Sequence, residues 1–365
     1  MSAIEGLGDR TLRGAMLGTG SIAVHHLRAW QAIPNVQIVA LANRTRERAL
    51  TYGNEFGVDS EHIYSDYRDL LANETLDFVD IATAPHIHRE QVLAAAARGV
   101  HVLCQKPFAT SVAEAIEMIH ACDAAGVRCV VNENWRWRRW YRELKHILAA
   151  NQIGTPRYAR FFMHSDIVLP RTDGTLPGLL VSQPYTAHMP RLILYEWGIH
   201  LMDVLRFLFG EIARVYARTS RISPLVQGED LALVVLEFAN GVTGVIDISW
   251  GSRAPAERAL PRGHIDSLLI EGDAATIELD PYRDDAFVIT TALGTECRPA
   301  RGNITPTEAY QESYFNTQNH FIECLRSGAP AENEARDNLK TLAAVMAAYA
   351  SAEQNQVVIS MPDIA

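Results

Sequence analysis

Three groups of residues in this chain have the types and spacing to do chemistry. Gly18-Thr19-Gly20-Ser21-Ile22-Ala23 follows the G-x-G-x-x-A pattern of a turn that cradles a pyrophosphate. Gly18 permits the tight turn, Gly20 lets the backbone approach the phosphates, and Ala23 lets the next helix pack close to its strand. The N–H groups of Thr19, Ser21 and Ile22 and of the helix start then face the anion. Further along, Glu196 and His200 stand four residues apart, which puts them on one face of a helix, and Asp203 follows three residues later. Histidine ordinarily titrates near pH 6.5, so such a group exchanges a proton near neutrality while a carboxylate orients its ring. The same spacing also serves as a solvated helix face. The third group is Asn134 followed by Trp135, Arg136, Trp137 and Trp140. This aromatic and basic cluster fits either a ligand crevice or a packed aromatic interface.

The elements around these residues divide the chain in two. Up to about residue 131, continuous apolar runs alternate with helical periods. Arg13–Leu17, Val36–Ala42, Leu76–Thr83, Val100–Cys104 and Val127–Val131 read as buried strands. Ile22–Ile33, Arg44–Phe56, Arg89–Arg98 and Ser111–Ala125 read as helices. That alternation predicts an α/β fold with a parallel sheet, a Rossmann domain over residues 1–131. Residues 132–365 predict an α+β domain on a large, open, mostly antiparallel sheet. A strand at Arg157–His164 and a helix at about Glu196–Phe209 lead into six successive strands between Val215 and Thr291. Two helices, Pro306–Ser327 and Glu334–Ala352, and a short strand at Val357–Ile359 follow. The irregular stretch from Arg171 to Arg191 carries Asp173, Gln183, Tyr185, His188 and Arg191, a set suited to a hydroxyl-rich ligand.

The end of the second strand bears on which dinucleotide is bound. An Asp or Glu for the ribose hydroxyls is usual about 20 residues after the glycines, but this chain has Asn43-Arg44. Arg44 could receive a 2′-phosphate, which favours NADP(H). Alternatively Asn43 bonds the ribose hydroxyls and Arg44 stacks on adenine, which suits NAD(H).

Composition narrows the remaining classes. With 365 residues and 48% hydrophobic content the chain is long enough for two packed domains, and its net charge of −10 argues against nucleic acid or an anionic membrane as a partner. Five cysteines without a CxxC pair fit a reducing compartment. The mixed polar start, Met1–Arg13, has no apolar core of a signal peptide, and no apolar run reaches the roughly 18–20 residues of a membrane span. A cytoplasmic protein is expected. No metal site is expected: His25-His26 point apart on a helix, and His86-x-His88 lacks a carboxylate or cysteine cluster. No G-x-S-x-G elbow marks a serine nucleophile.

At Val102-Leu103-Cys104-Gln105-Lys106-Pro107 the chain resembles the glucose–fructose oxidoreductase / inositol dehydrogenase (Gfo/Idh/MocA) family. The match runs in order through the glycine turn, Ile81–His88, Lys106-Pro107, Glu196–Asp203, Leu269–Asp273 and His320-Phe321. The resemblance implies hydride transfer between a nicotinamide and a sugar, cyclitol or related alcohol, and assembly into a homodimer or homotetramer through the C-terminal sheet. By position it makes Lys106 the catalytic lysine and His200 the histidine near the reacting hydroxyl. Glu196 falls where many members have Asp, and Thr83, Pro85 and His88 fall on the strand-end loop that touches the cofactor. Gln105 replaces the common Glu before the lysine, removing a carboxylate that would favour the lysine's ammonium form.

Asn132–Arg138 and Gln183–Glu196 are similar to a subgroup that oxidises free aldoses, including the branched pentose apiose, at the anomeric carbon with NAD. Such a reaction yields a lactone. Lys106, Trp135, Arg136, Tyr185, Arg191, Glu196 and His200 are the expected substrate contacts, and Asn134 and Gln105 join the cofactor set. Three other readings stay open: a polyol or inositol dehydrogenase, a glycosidase that uses tightly held NAD for a transient oxidation, and a non-catalytic dinucleotide sensor. Lys106 and His200 count against the sensor.

Overall fold

The computed structural model describes residues 6–253, 266–281 and 285–362. Residues 1–5 of the polar start considered above lie outside them. The chain separates into two compact units, 1–134 with 311–342 and 135–310 with 343–365.

The first unit is the expected α/β sheet. Its elements alternate as β1 (Leu12–Leu17), α1 (Ala23–Ala32), β2 (Val36–Ala42), α2 (Arg46–Phe56), β3 (Ile63–Tyr64), α3 (Tyr67–Asn73), β4 (Phe78–Ile81), α4 (Pro85–Ala96), β5 (His101–Gln105), α5 (Val112–Ala125) and β6 (Cys129–Asn132). All pairings are parallel and the order is β3-β2-β1-β4-β5-β6. Strand order reverses between β1 and β4, whose carboxyl ends are level at Leu17 and Ile81. In an open α/β sheet that switch point is where a ligand crevice forms. Helix starts are specified locally: Ser111 caps α5 by accepting the Glu114 N–H at 3.2 Å, while Glu114 accepts the Thr110 N–H at 2.7 Å. The strands are buried because apolar side chains cover both faces, with Leu12, Trp30, Phe78, Leu103 and Val130 in one cluster.

Phe321, Ile322 and Leu325 belong to that same cluster, and Phe321 packs edge-on to Phe78 at 5.7 Å. Residues 311–342 therefore group with the first sheet, whereas the linear reading keeps them in one region running from 132 to the end. Helices that follow a domain in the chain give no local sign of which sheet they cover.

The second unit contains α6 (Arg139–Ala149), β7 (Pro156–His164), the single-turn α7 (Gly178–Ser182), α8 (Ile199–Phe209), β8 (Ile212–Ser220), β9 (Leu231–Phe238), β10 (Thr243–Ser249), β11 (Ser267–Gly272), β12 (Ala275–Asp280), β13 (Ala286–Thr291) and β14 (Gly294–Pro299). Two long helices, α9 (Pro306–Ser327) and α10 (Ala335–Glu353), cross the division between units before β15 (Ile359–Ser360). The nine-stranded sheet runs β14-β13-β12-β11-β7-β10-β9-β8-β15. Every pairing is antiparallel except β10 with β7. At the β9–β10 hairpin, Gly241 takes φ +88°, which explains glycine after Asn240. Burial alternates along β9, so one face is covered while Leu233, like Phe162 on β7, stays exposed.

Candidate functional site

In the first unit the glycine turn sits at the end of β1. Gly18 takes φ +96°, and a Cβ there would come within 2.7 Å of the Ala82 carbonyl oxygen and 2.8 Å of Thr83 Cγ2. Only glycine lets the β1 and β4 ends approach so closely. A Cβ on Gly20 would meet nothing within 4 Å, which leaves its backbone open to a ligand. The Thr19 N–H donates to Asn43 Oδ1 at 3.2 Å, and Asn43 Nδ2 donates to the Thr45 carbonyl at 2.8 Å. Asn43 thus ties the first turn to the end of β2. Thr19 is buried, yet its Oγ1 has no protein partner. An open glycine backbone, an unpaired buried hydroxyl and a helix start at Ala23 fit a bound pyrophosphate. Ser21 and Arg44 are exposed and Ile22 is half-buried.

Around the same strand ends, Pro85 opens α4 and Thr83 Oγ1 donates to Gln91 Oε1 at 2.6 Å. His88 is fully buried, with Nε2 3.1 Å from the Thr83 carbonyl and Nδ1 3.1 and 3.2 Å from those of Pro107 and Phe108. Burial lowers its pKa. His88, expected as a cofactor contact, brackets the Thr83 loop to the chain after Lys106. Lys106 is half-buried at the end of β5, and its peptide with Pro107 is cis. Its backbone N–H donates to Gln105 Oε1 at 2.7 Å. Asn134 is buried and donates to Ser313 Oγ at 2.7 Å.

In the second unit the geometry centres on His200, buried on the first turn of α8. Its ring lies flat against Trp135, with centroids 4.5 Å apart and planes within 4°. The Arg138 guanidinium lies 3.8 Å over the same indole, and Trp197 meets it edge-on at 6.3 Å. Arg138 donates to Asp266 at 2.9 Å, as does the Tyr141 hydroxyl at 2.5 Å. The imidazole plane is set by a packed aromatic surface whose own position is fixed by an ion pair.

Arg136, an expected substrate contact, is buried and makes a two-point pair with Asp203 at 2.7 and 2.5 Å. Both oxygens of Asp203, read from spacing as an orienter of His200, accept from that guanidinium. Glu196 and His200 do not share one regular α-helix. Glu196 lies half-buried in a π-helical turn, Leu194–Gly198, and α8 begins only at Ile199. Buried Glu229 holds the start of this turn, accepting the Leu192 and Leu194 N–H groups at 3.1 Å and the Tyr349 hydroxyl at 2.5 Å. Burial pushes the Glu229 carboxyl upward against those hydrogen bonds. A π turn of this kind commonly re-aims a functional side chain.

Tyr185 is exposed, its hydroxyl donating to Gln183 Oε1 at 2.9 Å. The loop around it is more ordered than expected, containing α7 and a 3₁₀ turn at Pro184–His188. Arg191 lies 4.9 Å over the Tyr349 ring and lines a cleft with Arg221, Gln227 and Glu229, a cleft that neither Glu196 nor His200 lines. Glu229, Tyr349, Arg138 and Asp266 were missed by sequence reasoning. Their hydrogen-bond partners lie tens of residues or more away, so no local spacing announces those contacts. Among the described residues no group of three or more His, Cys, Asp or Glu side chains could hold a metal, and no helix is long and apolar enough to cross a membrane.

Comparison with known proteins matches residues 12–133 to an oxidoreductase family model with an NAD-binding Rossmann fold, and residues 141–278 to the GFO/IDH/MocA C-terminal domain. The chain is 38% identical to a D-apiose dehydrogenase of Paraburkholderia graminis, over 96% of this chain and 90% of that one. It is 35% identical to a D-apiose dehydrogenase of Rhizobium rhizogenes, over 95% and 97% respectively. Its fold is similar to that of an Agrobacterium radiobacter oxidoreductase crystallised with NAD+, L-tartaric acid and magnesium. That structure has a TM-score of 0.86 and 33% identity, covering 96% of this chain and 98% of the other.

Proposed function

This chain belongs to the Gfo/Idh/MocA oxidoreductase family, and from that premise we propose that it is an NAD-dependent sugar dehydrogenase acting on the anomeric hydroxyl of an aldose, with D-apiose as the candidate substrate. The observation that carries this reading is the end-to-end similarity to two D-apiose dehydrogenases. The clamped imidazole of His200 supports it by placing a base in the second unit.

Bound at the glycine turn, NAD+ supplies the acceptor for the hydride. His200 takes the proton of the C1 hydroxyl as the C1–H bond breaks and C1=O forms, giving the lactone. Flat contact with Trp135 keeps the imidazole from rotating during that transfer. Lys106 polarises the C1 oxygen and stabilises its developing negative charge. Glu196, displaced from the regular helix by the π turn, receives a sugar hydroxyl or steadies His200. Tyr185 belongs to the outer rim of the substrate region, whereas Arg191 lines the separate cleft over Tyr349. Arg136 supports the site through Asp203 instead of touching the sugar. NAD+ is assigned over NADP+ on the match to a family model with an NAD-binding Rossmann fold and the likeness to the Agrobacterium structure that holds NAD+. Assembly is assigned to the open face of the second sheet, where Phe162 and Leu233 are exposed.

Following NADH absorbance across free aldoses, polyols, inositols and chromogenic glycosides tests this. Net NADH formation with D-apiose exceeding that with inositols is expected. Turnover only with inositols, or glycoside cleavage without net NADH, would replace the reading with one of its alternatives.

A further inference from the structure

Beneath Lys106 lies a buried polar chain that the chemistry above does not use. His26 on α1 is fully buried, with Nδ1 2.8 Å from Asp80 Oδ2 on β4. Trp30 Nε1 and Gln318 Nε2 reach the same oxygen at 2.7 and 3.3 Å. Across the ring, His26 Nε2 is 3.0 Å from Gln105 Nε2. Gln105 Oε1 in turn accepts the Lys106 N–H at 2.7 Å.

The last contact orients the rest. A backbone N–H only donates, so the carboxamide atom facing it is the oxygen and the atom facing His26 is the NH2 group. His26 Nε2 is then an acceptor, which leaves the ring proton on Nδ1, donated to Asp80. Reversing the carboxamide would set two donors against each other at Lys106. We propose that His26 is a positioning residue, held as the neutral Nδ1–H tautomer between Asp80 and Gln105, and that it fixes the Lys106 backbone through the Gln105 carboxamide. The functional half of this inference rests on the assignment of Lys106 to the reaction.

A glutamate at position 105 would still accept the Lys106 N–H, but its second oxygen would face His26 Nε2. Two carboxylates would then flank the ring, and the imidazolium would become its stable form. Gln105 keeps the chain at a single carboxylate. The ring also meets Asn132 Nδ2 at 3.3 and 3.4 Å and the Tyr314 ring at 5.2 Å. Cys104, close enough to feel Asp80, is held as the thiol by burial.

The test is ¹⁵N NMR of full-length holoenzyme carrying ¹⁵N-imidazole histidine, with His26 assigned by its loss in His26→Gln. The expected spectrum shows a protonated Nδ1 and an unprotonated Nε2, becoming doubly protonated in Gln105→Glu. An Nε2–H tautomer or an imidazolium in the unaltered protein would overturn the inference, as would an unchanged His26 signal in Gln105→Glu. In kinetics, His26→Gln should lower kcat about tenfold while the KM for NAD+ stays within about twofold. Unchanged kcat would leave His26 with no positioning role and count against the proposal. Lys106→Ala separates the two readings: if it remains active, the catalytic assignment fails whatever the tautomer of His26.

Discussion

Two buried carboxylate clusters, one in each unit, are held in opposite ways. In the first, donors from Trp30, His26 and Gln318 converge on one carboxylate oxygen of Asp80, and the polar chain continues through hydrogen bonds alone. In the second, two buried carboxylates each face a guanidinium, Asp203 with Arg136 and Asp266 with Arg138. Shared hydrogen bonds degrade gradually when one donor is lost. A matched ion pair does not, because removing either partner strands a buried charge. The first arrangement suits a scaffold that holds the Lys106 backbone in place. The second suits a rigid aromatic platform that fixes the plane of His200.

The largest effect is therefore expected in the second unit. Asp203→Asn should destabilise it by about 3–5 kcal/mol, leaving Arg136 buried without its anion. Denaturant unfolding of Asp203→Asn, Arg136→Met and the double variant checks this. A double variant destabilised by the full sum of the two single effects would show that the pair is not coupled.

A smaller effect belongs to the first unit and depends on pH. His101 is buried at the start of β5 and accepts the Arg128 N–H at 2.9 Å. Burial, with Arg128 adding to it, pushes its pKa from 6.5 down to about 4. Between these values the unfolded chain binds a proton that the folded chain does not, so stability falls as pH falls from 6.5 towards 4. The loss reaches about 3 kcal/mol once both states are protonated. Unfolding measured at intervals across that range should show the slope, and His101→Gln should reduce it. The smallest effect is at the edge of the Asp80 cluster. Gln318→Met removes one long donor of three and should cost about 1 kcal/mol or less. A loss as large as that for Asp203→Asn would erase the distinction between the units.

How much of this was legible from sequence follows the range of each interaction. The parallel strands β1, β2, β4, β5 and β6 were readable because continuous apolar runs encode two covered faces. The glycine turn was readable because all its parts are adjacent. Helix α6 was not: its buried Trp140, Tyr141, Leu144 and Ile147 are interleaved with charged residues, and the segment read as an aromatic–basic cluster. Strand β14 was missed because it is a mostly exposed polar edge with no apolar alternation. The π turn under Glu196 depends on Glu229, more than thirty residues later. His26 read only as a helix position, since Asp80 and Gln105 reach it from separate strands. Lys106 and His200 became visible through family resemblance, local spacing being common to many solvated helices.

The central claim is that Lys106 and His200 carry out an NAD-dependent oxidation of a free aldose. Its most direct test is to measure turnover of D-apiose and NADH affinity together for Lys106→Ala and His200→Ala. Each variant should bind NADH within about threefold of the parent and lose about 10²–10⁴-fold in kcat. Either variant retaining the parent's turnover at unchanged NADH affinity would contradict it.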